Sequence, residues 1–418
     1  MNFDMSEWDF QPPPESELGD RALAIESNHL KNKRIALLVT GSIAAMKAPL
    51  IARTLRRHGA DVVAFVSTEA LRYTTIDALA WSTTNSVVTK LTANAEHLSD
   101  DRPFAAYLVA PATYNTINKT ALGIADGVIT ASLGSAIGRM EQGKTQILVA
   151  PTMHGSLHNS ILIESLHKLE QLGVKIVPPK VANGKNNLPD ERAIAFAVCR
   201  AVSQSSLKGI PILVTGGPTP VEIDNIRRLT NRFTGRLGAA IAEELYLRGA
   251  EVKLIHGRGS YAPPSYLPHK VVATYDEYLT EVINELQQNY QYGIFSAAVA
   301  DYKPTQTFQG KIPSGGTLSQ IDLVPTQKVI GEVKARFPNL GMITFKYQEN
   351  VSHTELIDIA QARLQQGYQM VVANRGEEDQ ATGAQVAYLV TKDREPQRAV
   401  GKPEIARAIA EYLESFTG

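Results

Sequence analysis

Short apolar runs recur along the chain, separated by stretches in which apolar positions fall at helical spacing. In the first half the runs read RIALLVT, DVVAFVS, AAYLVAPA, QILVAPT and VKIVPP. In the second they read IPILVTGG, EVKLIHG, YGIFSAAVADY, MITFKY, QMVVANRG and VAYLVTKD. Hydrophobicity in them is nearly continuous, as in strands covered by helices on both faces. The intervening stretches include APLIARTLRRHG, which ends on Gly59 where a helix C-cap falls. This alternation predicts an α/β fold with two doubly wound, Rossmann-like domains and ligands at the carboxyl ends of the strands. Residues 201–209, AVSQSSLKG, are polar and serine-rich and read as a linker. The expected division is an N-terminal extension over 1–30, one domain over 31–200 and a second over 201–418.

Composition narrows the class. A chain of 418 residues, 44% apolar and 20% charged, fills two or three cores and is not generally disordered. Its 42 basic and 42 acidic residues balance, which gives no reason to expect nucleic acid or an anionic membrane as partner. No apolar run approaches the roughly 20 residues of a membrane span. Cys199 is the single cysteine, so no intramolecular disulfide forms, and a cytoplasmic setting is expected. The start, MNFDMSEWDFQPPPESELGD, lacks the basic and apolar regions of a signal peptide. There Trp8 and Phe10 either dock on a neighbour or belong to a loose tail.

Chemistry concentrates at the strand ends. TGSIAAMK places Gly41 and Ser42 in a strand-to-helix turn, where backbone N–H groups favour an anion. Many such turns bind nothing, and a full G-x-G-x-x-G is missing. The next strand ends in Ser67 and Thr68, hydroxyls that suit a phosphate better than a dinucleotide ribose. APATYNT offers Asn115, either to read a planar ring edge or as part of an ordinary helix start.

TGSIAA…K, HLSDDRPFAAYLVAPATYNT, GIADGVITASL and APTMH, in that order, resemble the flavin-dependent cysteine decarboxylases, in particular the phosphopantothenoylcysteine decarboxylases. The resemblance covers about 33–200 and implies a flavodoxin-like domain that binds FMN. It assigns the FMN phosphate to Gly41, Ser42, Ile43, Ser67 and Thr68. It assigns the isoalloxazine to Ala110, Pro111, Ala112, Thr113, Asn115 and Met153, and adds Ser132 as a cofactor-binding residue. His97 stands at the spacing of the family's catalytic histidine; a lone histidine is more often structural, and the resemblance makes it the general base. Two departures bear on activity. His154 replaces an asparagine that grips the substrate carboxylate, a contact a protonated imidazole also makes. The flap with Ala-Cys-Gly is missing, and ANGKNNLPDERAI stands in its place, with Lys185 as an anion partner or a solvated side chain.

VTGGPTPVEIDNIRRLTNRFTGRLG resembles the phosphopantothenate–cysteine ligases over about 208–415. The matching positions are Gly216, Gly217, Thr219, Asp224, Arg227, Asn231, Thr234 and Gly235; Pro218 intrudes, and Phe233 replaces a serine. AAVADYKP then implies Ala297, Ala298 and Asp301 for nucleotide and Mg2+. GKIPSGG supplies Lys311, and further along Lys328, Phe345, Lys346 and Asn374 match. The resemblance implies activation of the 4'-phosphopantothenate carboxylate by CTP or ATP, then displacement by the amine of cysteine. Asn231 would hold the carboxylate and Lys311 stabilise charge as the acyl nucleotide breaks down, while Arg227 orients it or bridges protomers.

Together the resemblances imply a bifunctional enzyme of coenzyme A synthesis, ligating cysteine and then removing its carboxyl group. Two alternatives stand beside it: a ligase with a degenerate decarboxylase domain, and a non-catalytic flavoprotein scaffold. The families imply a homo-oligomer, trimeric through the flavin domain and dimeric through the ligase domain.

Overall fold

The computed structural model describes residues 11–12, 14–98, 100–182, 184–313, 315 and 320–417. Trp8 and Phe10 lie outside the described residues. The chain divides into two compact units, Met1–Val202 and Ser203–Gly418.

The first unit is built on five parallel strands, β1 (Arg34–Val39), β2 (Asp61–Val66), β3 (Ala106–Ala112), β4 (Gln146–Pro151) and β5 (Lys175–Ile176), in the order β2-β1-β3-β4-β5. Each coincides with an apolar run. Residues 35–39 of β1 are fully buried, because helices cover both faces. These are α1 (Ala48–Arg57), α2 (Ile76–Thr83), α3 (Tyr114–Ala121), α4 (Val128–Glu141), α5 (Ser160–Gln171) and α6 (Glu191–Val202). Gly59 follows α1 with φ +94°, the left-handed conformation its C-terminus requires. Phe65, Phe104 and Tyr107 meet edge to face at 5.8 and 5.3 Å in the core under α4.

The predicted linker starts later than expected. Ala201 and Val202 are buried and complete α6, because they continue its apolar stripe; the polar connection begins at Ser203.

The second unit has an eight-stranded sheet. Its strands are β6 (Pro211–Gly216), β7 (Glu251–Gly257), β8 (His269–Val272), β9 (Tyr292–Phe295), β10 (Gly341–Gln348), β11 (Met370–Arg375), β12 (Val386–Val390) and β13 (Gln397–Val400). The order is β8-β7-β6-β9-β10-β11-β12-β13. It is parallel up to β11 and antiparallel for β12 and β13. The antiparallel edge returns the chain to the carboxyl ends of the parallel strands. Helices α7 (Arg236–Leu247), α8 (Tyr275–Glu285), α9 (Val329–Arg336), α10 (His353–Leu364), α11 (Gly376–Thr382) and α12 (Lys402–Thr417) complete the unit.

The run YGIFSAAVADY is not one strand. The chain leaves the sheet at Ser296, whose hydroxyl donates to the Thr215 carbonyl at 2.6 Å. Ala298–Val299 then pairs with Pro218–Thr219 in a separate ribbon.

Candidate active sites

In the first unit a cleft of about 530 Å³ opens at the carboxyl edge of the sheet, within the usual range for small-molecule sites. Gly41, Ser67, Thr68, Thr113 and Asn115 line it. Gly41 is there for a steric reason: a Cβ on it would lie 2.4 Å from the Cβ of Glu69. The turn after β1 and the turn after β2 pack closely at this point, where a side chain would not fit. Thr40, Thr116 and Thr130 also line it, although no motif singled them out. Thr40 donates to the Pro111 carbonyl at 2.7 Å and lies 3.3 Å from the Thr113 hydroxyl, which itself caps α3. The N-terminus of α4 supplies residues 127–130. The sequence signal for these threonines is their position, at a strand end or at a helix start.

The remaining candidates of this unit stand around the cleft. Ser42 caps the turn after Gly41 by accepting from the Ala44 N–H at 3.3 Å, and Ile43 beside it is exposed. Ala110, Pro111 and Ala112 are buried in β3 beneath Thr113. Ser132 is fully buried and donates to the Val128 carbonyl at 2.7 Å, so its hydroxyl serves α4 itself. Met153 is buried at the exit of β4, where its N–H donates to the Asn186 carbonyl at 3.2 Å, and His154 next to it is exposed. Lys185 is exposed in the hairpin that carries Asn186. His97 does not line the cleft. It sits on the loop before β3, with its Nδ1 buried and without a hydrogen-bond partner among the described residues.

The cleft fits a flavin nucleotide in its chemistry: a backbone turn too tight for any side chain, hydroxyls from three strand ends, and the start of a 14-residue helix.

In the second unit a cleft of about 190 Å³ lies at the carboxyl ends of β6, β9, β10 and β11. Seven of the motif residues, Gly217, Thr234, Gly235, Ala297, Ala298, Phe345 and Asn374, line it. Its shape depends on glycine. Gly217 and Gly235 have φ of +79° and +85°. A Cβ on Gly235 would lie 2.3 Å from Nε2 of His256 and 2.6 Å from Cα of Gly217. Gly216 passes α7 as closely, since a Cβ on Gly238 would stand 2.7 Å from its Cα. Burial pushes the His256 imidazole below its ordinary pKa, so a neutral ring backs the turn.

Phe233, which stands in place of a serine, packs edge to face on Tyr347 at 5.5 Å. The pair makes an aromatic wall. Arg236, inside the glycine motif but not singled out by it, also lines the cleft, and so do Gln385 and Lys402, which lie outside the motifs.

Asn231 donates from Nδ2 to the Ala298 carbonyl at 2.8 Å, which orients its amide. Thr219 is buried, and its hydroxyl accepts from the Ala300 N–H at 2.9 Å; it braces the ribbon and stays off the cleft. Asp224 is likewise structural. Its buried carboxylate accepts from the N–H groups of Ile226, Arg227 and Ile312 at 2.8, 2.6 and 3.0 Å and pairs with the Arg227 guanidinium at 2.7 Å. Burial alone would raise its pKa; the N–H donors and the cation outweigh that and hold it at about 2. With Asn225 donating to the Gly310 carbonyl at 3.0 Å, the turn grips the chain on both sides of exposed Lys311.

Asp301 is exposed and paired with Lys328. Lys346 is half-buried, and its pKa is lowered by burial and by Arg363, against the pull of Asp301. None of Lys311, Lys328 or Lys346 lines the cleft. Among the described residues no three His, Cys, Asp or Glu side chains group to hold a metal. A nucleotide-bound Mg2+ needs only one or two carboxylates besides phosphates, and Asp301 suits that role. No helix among the described residues is long and apolar enough to cross a membrane.

Comparison with known proteins gives the following matches. Residues 23–203 match the family described as Flavoprotein, and residues 207–416 that described as DNA/pantothenate metabolism flavoprotein C-terminal domain. The coenzyme A biosynthesis bifunctional protein CoaBC of Thermococcus kodakarensis is 36% identical over 359 residues, 84% of this chain and 87% of that one. Its namesake from Methanocaldococcus jannaschii is 30% identical over 394 residues, 94% of this chain and 96% of that one. Among solved structures, the DNA/pantothenate metabolism flavoprotein from Streptococcus pneumoniae is 30% identical with a TM-score of 0.44, covering 50% of this chain and all (100%) of that one.

Proposed function

The chain belongs to the coenzyme A biosynthesis bifunctional proteins, and from that premise we propose that it joins cysteine to 4'-phosphopantothenate with a nucleoside triphosphate and then decarboxylates the product to 4'-phosphopantetheine. The observation that carries this reading is that each sheet has its own cleft at its carboxyl edge, each shaped by a glycine approach that no side chain could make.

In the ligase unit the substrate carboxylate attacks the α-phosphorus of CTP or ATP, and pyrophosphate leaves. One N–H of the Asn231 amide is committed to Ala298, which aims the other at the carboxylate. Asp301, now paired with Lys328, would be the carboxylate that holds a nucleotide-bound Mg2+, which would offset phosphate charge. Lys311, held in place by the 224–227 turn, stabilises the charge that develops as the cysteine amine displaces the nucleotide.

In the first unit Gly41, Ser67 and Thr68 would hold the phosphate of FMN, and Thr113, Asn115 and Met153 its ring. FMN, when bound, would supply reversible hydride transfer: oxidation of the cysteinyl thiol to a thioaldehyde creates the electron sink that a carboxylate β to sulfur lacks, and the hydride returns after CO2 leaves. His97 takes the proton released from the cysteinyl group, and His154 pairs with the departing carboxylate. Since His97 stands on a loop away from the cleft of its own chain, the reading includes a flavin site completed by a second copy, as in a trimer, with the ligase units paired as dimers. The lone buried Cys199 supports a cytoplasmic setting.

The test is product mass spectrometry with CTP and ATP in turn. Expected are pyrophosphate, phosphopantothenoylcysteine and then a product lighter by one CO2. Absence of nucleotide-dependent pyrophosphate would end the ligase assignment.

A further inference from the structure

Lys402 and Gln385 lie outside every motif, yet both line the ligase cleft. They reach it from the antiparallel edge of the sheet. The Gly401 N–H donates to the Gln385 carbonyl at 2.7 Å, which fixes the two residues side by side at the open ends of β12 and β13. Lys402 is also the first residue of α12, a helix of 16 residues.

That placement runs against the helix dipole, which favours anions at this end and is opposed by a cation. Arg236, across the cleft, is likewise the first residue of α7, with no acid in its first turn, whereas α12 carries Glu404 there, its carboxylate accepting from the Val400 N–H at 3.2 Å. Lys402 makes no ion pair among the described residues; the acid it influences is Asp379, whose side chain already accepts from the Val386 N–H at 2.8 Å. Between the two helix starts lies Asn374, only 5% exposed, with no hydrogen bond to its side-chain amide among the described residues. A nearly buried amide that shares one cleft with the Lys402 and Arg236 cations suits an anion with several acceptor oxygens.

We propose that Lys402, with Gln385 and Asn374, forms a polyphosphate subsite of the ligase cleft and binds phosphate oxygens of the nucleoside triphosphate. This rests on the reading of the cleft as the nucleotide site and adds a cation that belongs to neither the glycine turn nor the lysine loop. The cleft volume of about 190 Å³ is below the range for a whole drug-sized ligand and suits a phosphate chain with the nucleoside extending outward.

The experiment is calorimetric titration of the full-length protein with Mg2+ and CTP, Mg2+ and ATP, and inorganic tripolyphosphate. The proteins are wild type, Lys402→Met and Lys402→Arg. Absence of any nucleotide binding to wild type would sink the nucleotide site itself. If wild type binds, Lys402→Met is expected to weaken nucleotide and tripolyphosphate alike, each by roughly tenfold or more, with Lys402→Arg retaining most of the affinity. Unchanged nucleotide affinity overturns the proposal. So does a loss confined to nucleotides, because the contact would then be with base or ribose. Hydrogen exchange on wild type gives a reading independent of the variants: tripolyphosphate should slow exchange in the first turn of α12, and no slowing there counts against the subsite.

Discussion

Gly235→Ala tests the ligase cleft most directly. The residue has φ +85°, and a Cβ there would stand 2.3 Å from His256 Nε2 and 2.6 Å from both Cα and N of Gly217. The left-handed conformation costs an alanine about 1–2 kcal/mol. Forcing a methyl group into a filled site adds about 1–3 kcal/mol. His256 is fully buried and Gly217 offers backbone atoms, so neither can yield without moving the turn. The expected destabilisation is therefore about 3 kcal/mol. For a domain of this size each kcal/mol lowers Tm by about 2–4 °C, so the ligase transition should fall by roughly 6–12 °C. Scanning calorimetry of the full chain reads this, with the flavoprotein transition as internal reference. Nucleotide affinity should fall as well, because Gly217 and Gly235 line the same cleft. A variant that melts within about 2 °C of wild type and binds nucleotide normally would refute the steric argument.

Gly41→Ala brings a Cβ to 2.4 Å from that of Glu69, and the purified protein should lose flavin absorbance while keeping ligase activity. His97→Asn should abolish CO2 release and leave pyrophosphate release intact; retained decarboxylation would remove His97 from the mechanism. Asp224→Asn should lower ligase kcat by about a hundredfold through a misplaced Lys311 and expose Lys311 to trypsin, whereas an uncut loop would argue against the clamp. The pH dependence follows from the depressed carboxyl. Its folded value of about 2 lies below the ordinary 3.8, so its contribution is complete above about 3.8 and declines as pH falls towards 2. Protease resistance of the lysine loop should therefore persist at pH 5, and early loss there would contradict the assignment.

The lone strand-to-helix turns were legible because their causes are local. Continuous Val, Ile and Leu runs of this length read as buried strands, and glycines at their ends mark approaches that exclude a side chain. The motif residues Gly217, Gly235, Ala297 and Asn374 duly share one cleft. Other motif residues have their hydroxyls engaged within the fold. Thr219 and Ser132 carry hydroxyls of the expected type, but Thr219 accepts from a neighbouring N–H and Ser132 donates to its own helix. A motif records which side chain stands at a position and is silent on which hydrogen bonds it has already made.

What the sequence determined by itself was the alternation of buried strands and amphipathic helices, and two glycine turns whose backbone N–H groups favour an anion. These follow from periodicity and backbone sterics over a few residues. Only the tertiary structure decided that Asp224 grips Ile312, 88 positions away, that His97 lies off the cleft of its own chain, and that an antiparallel edge delivers Gln385 and Lys402 to the nucleotide cleft. Those outcomes depend on which distant backbone groups find partners when the sheet closes, and no local pattern along the chain encodes that distance.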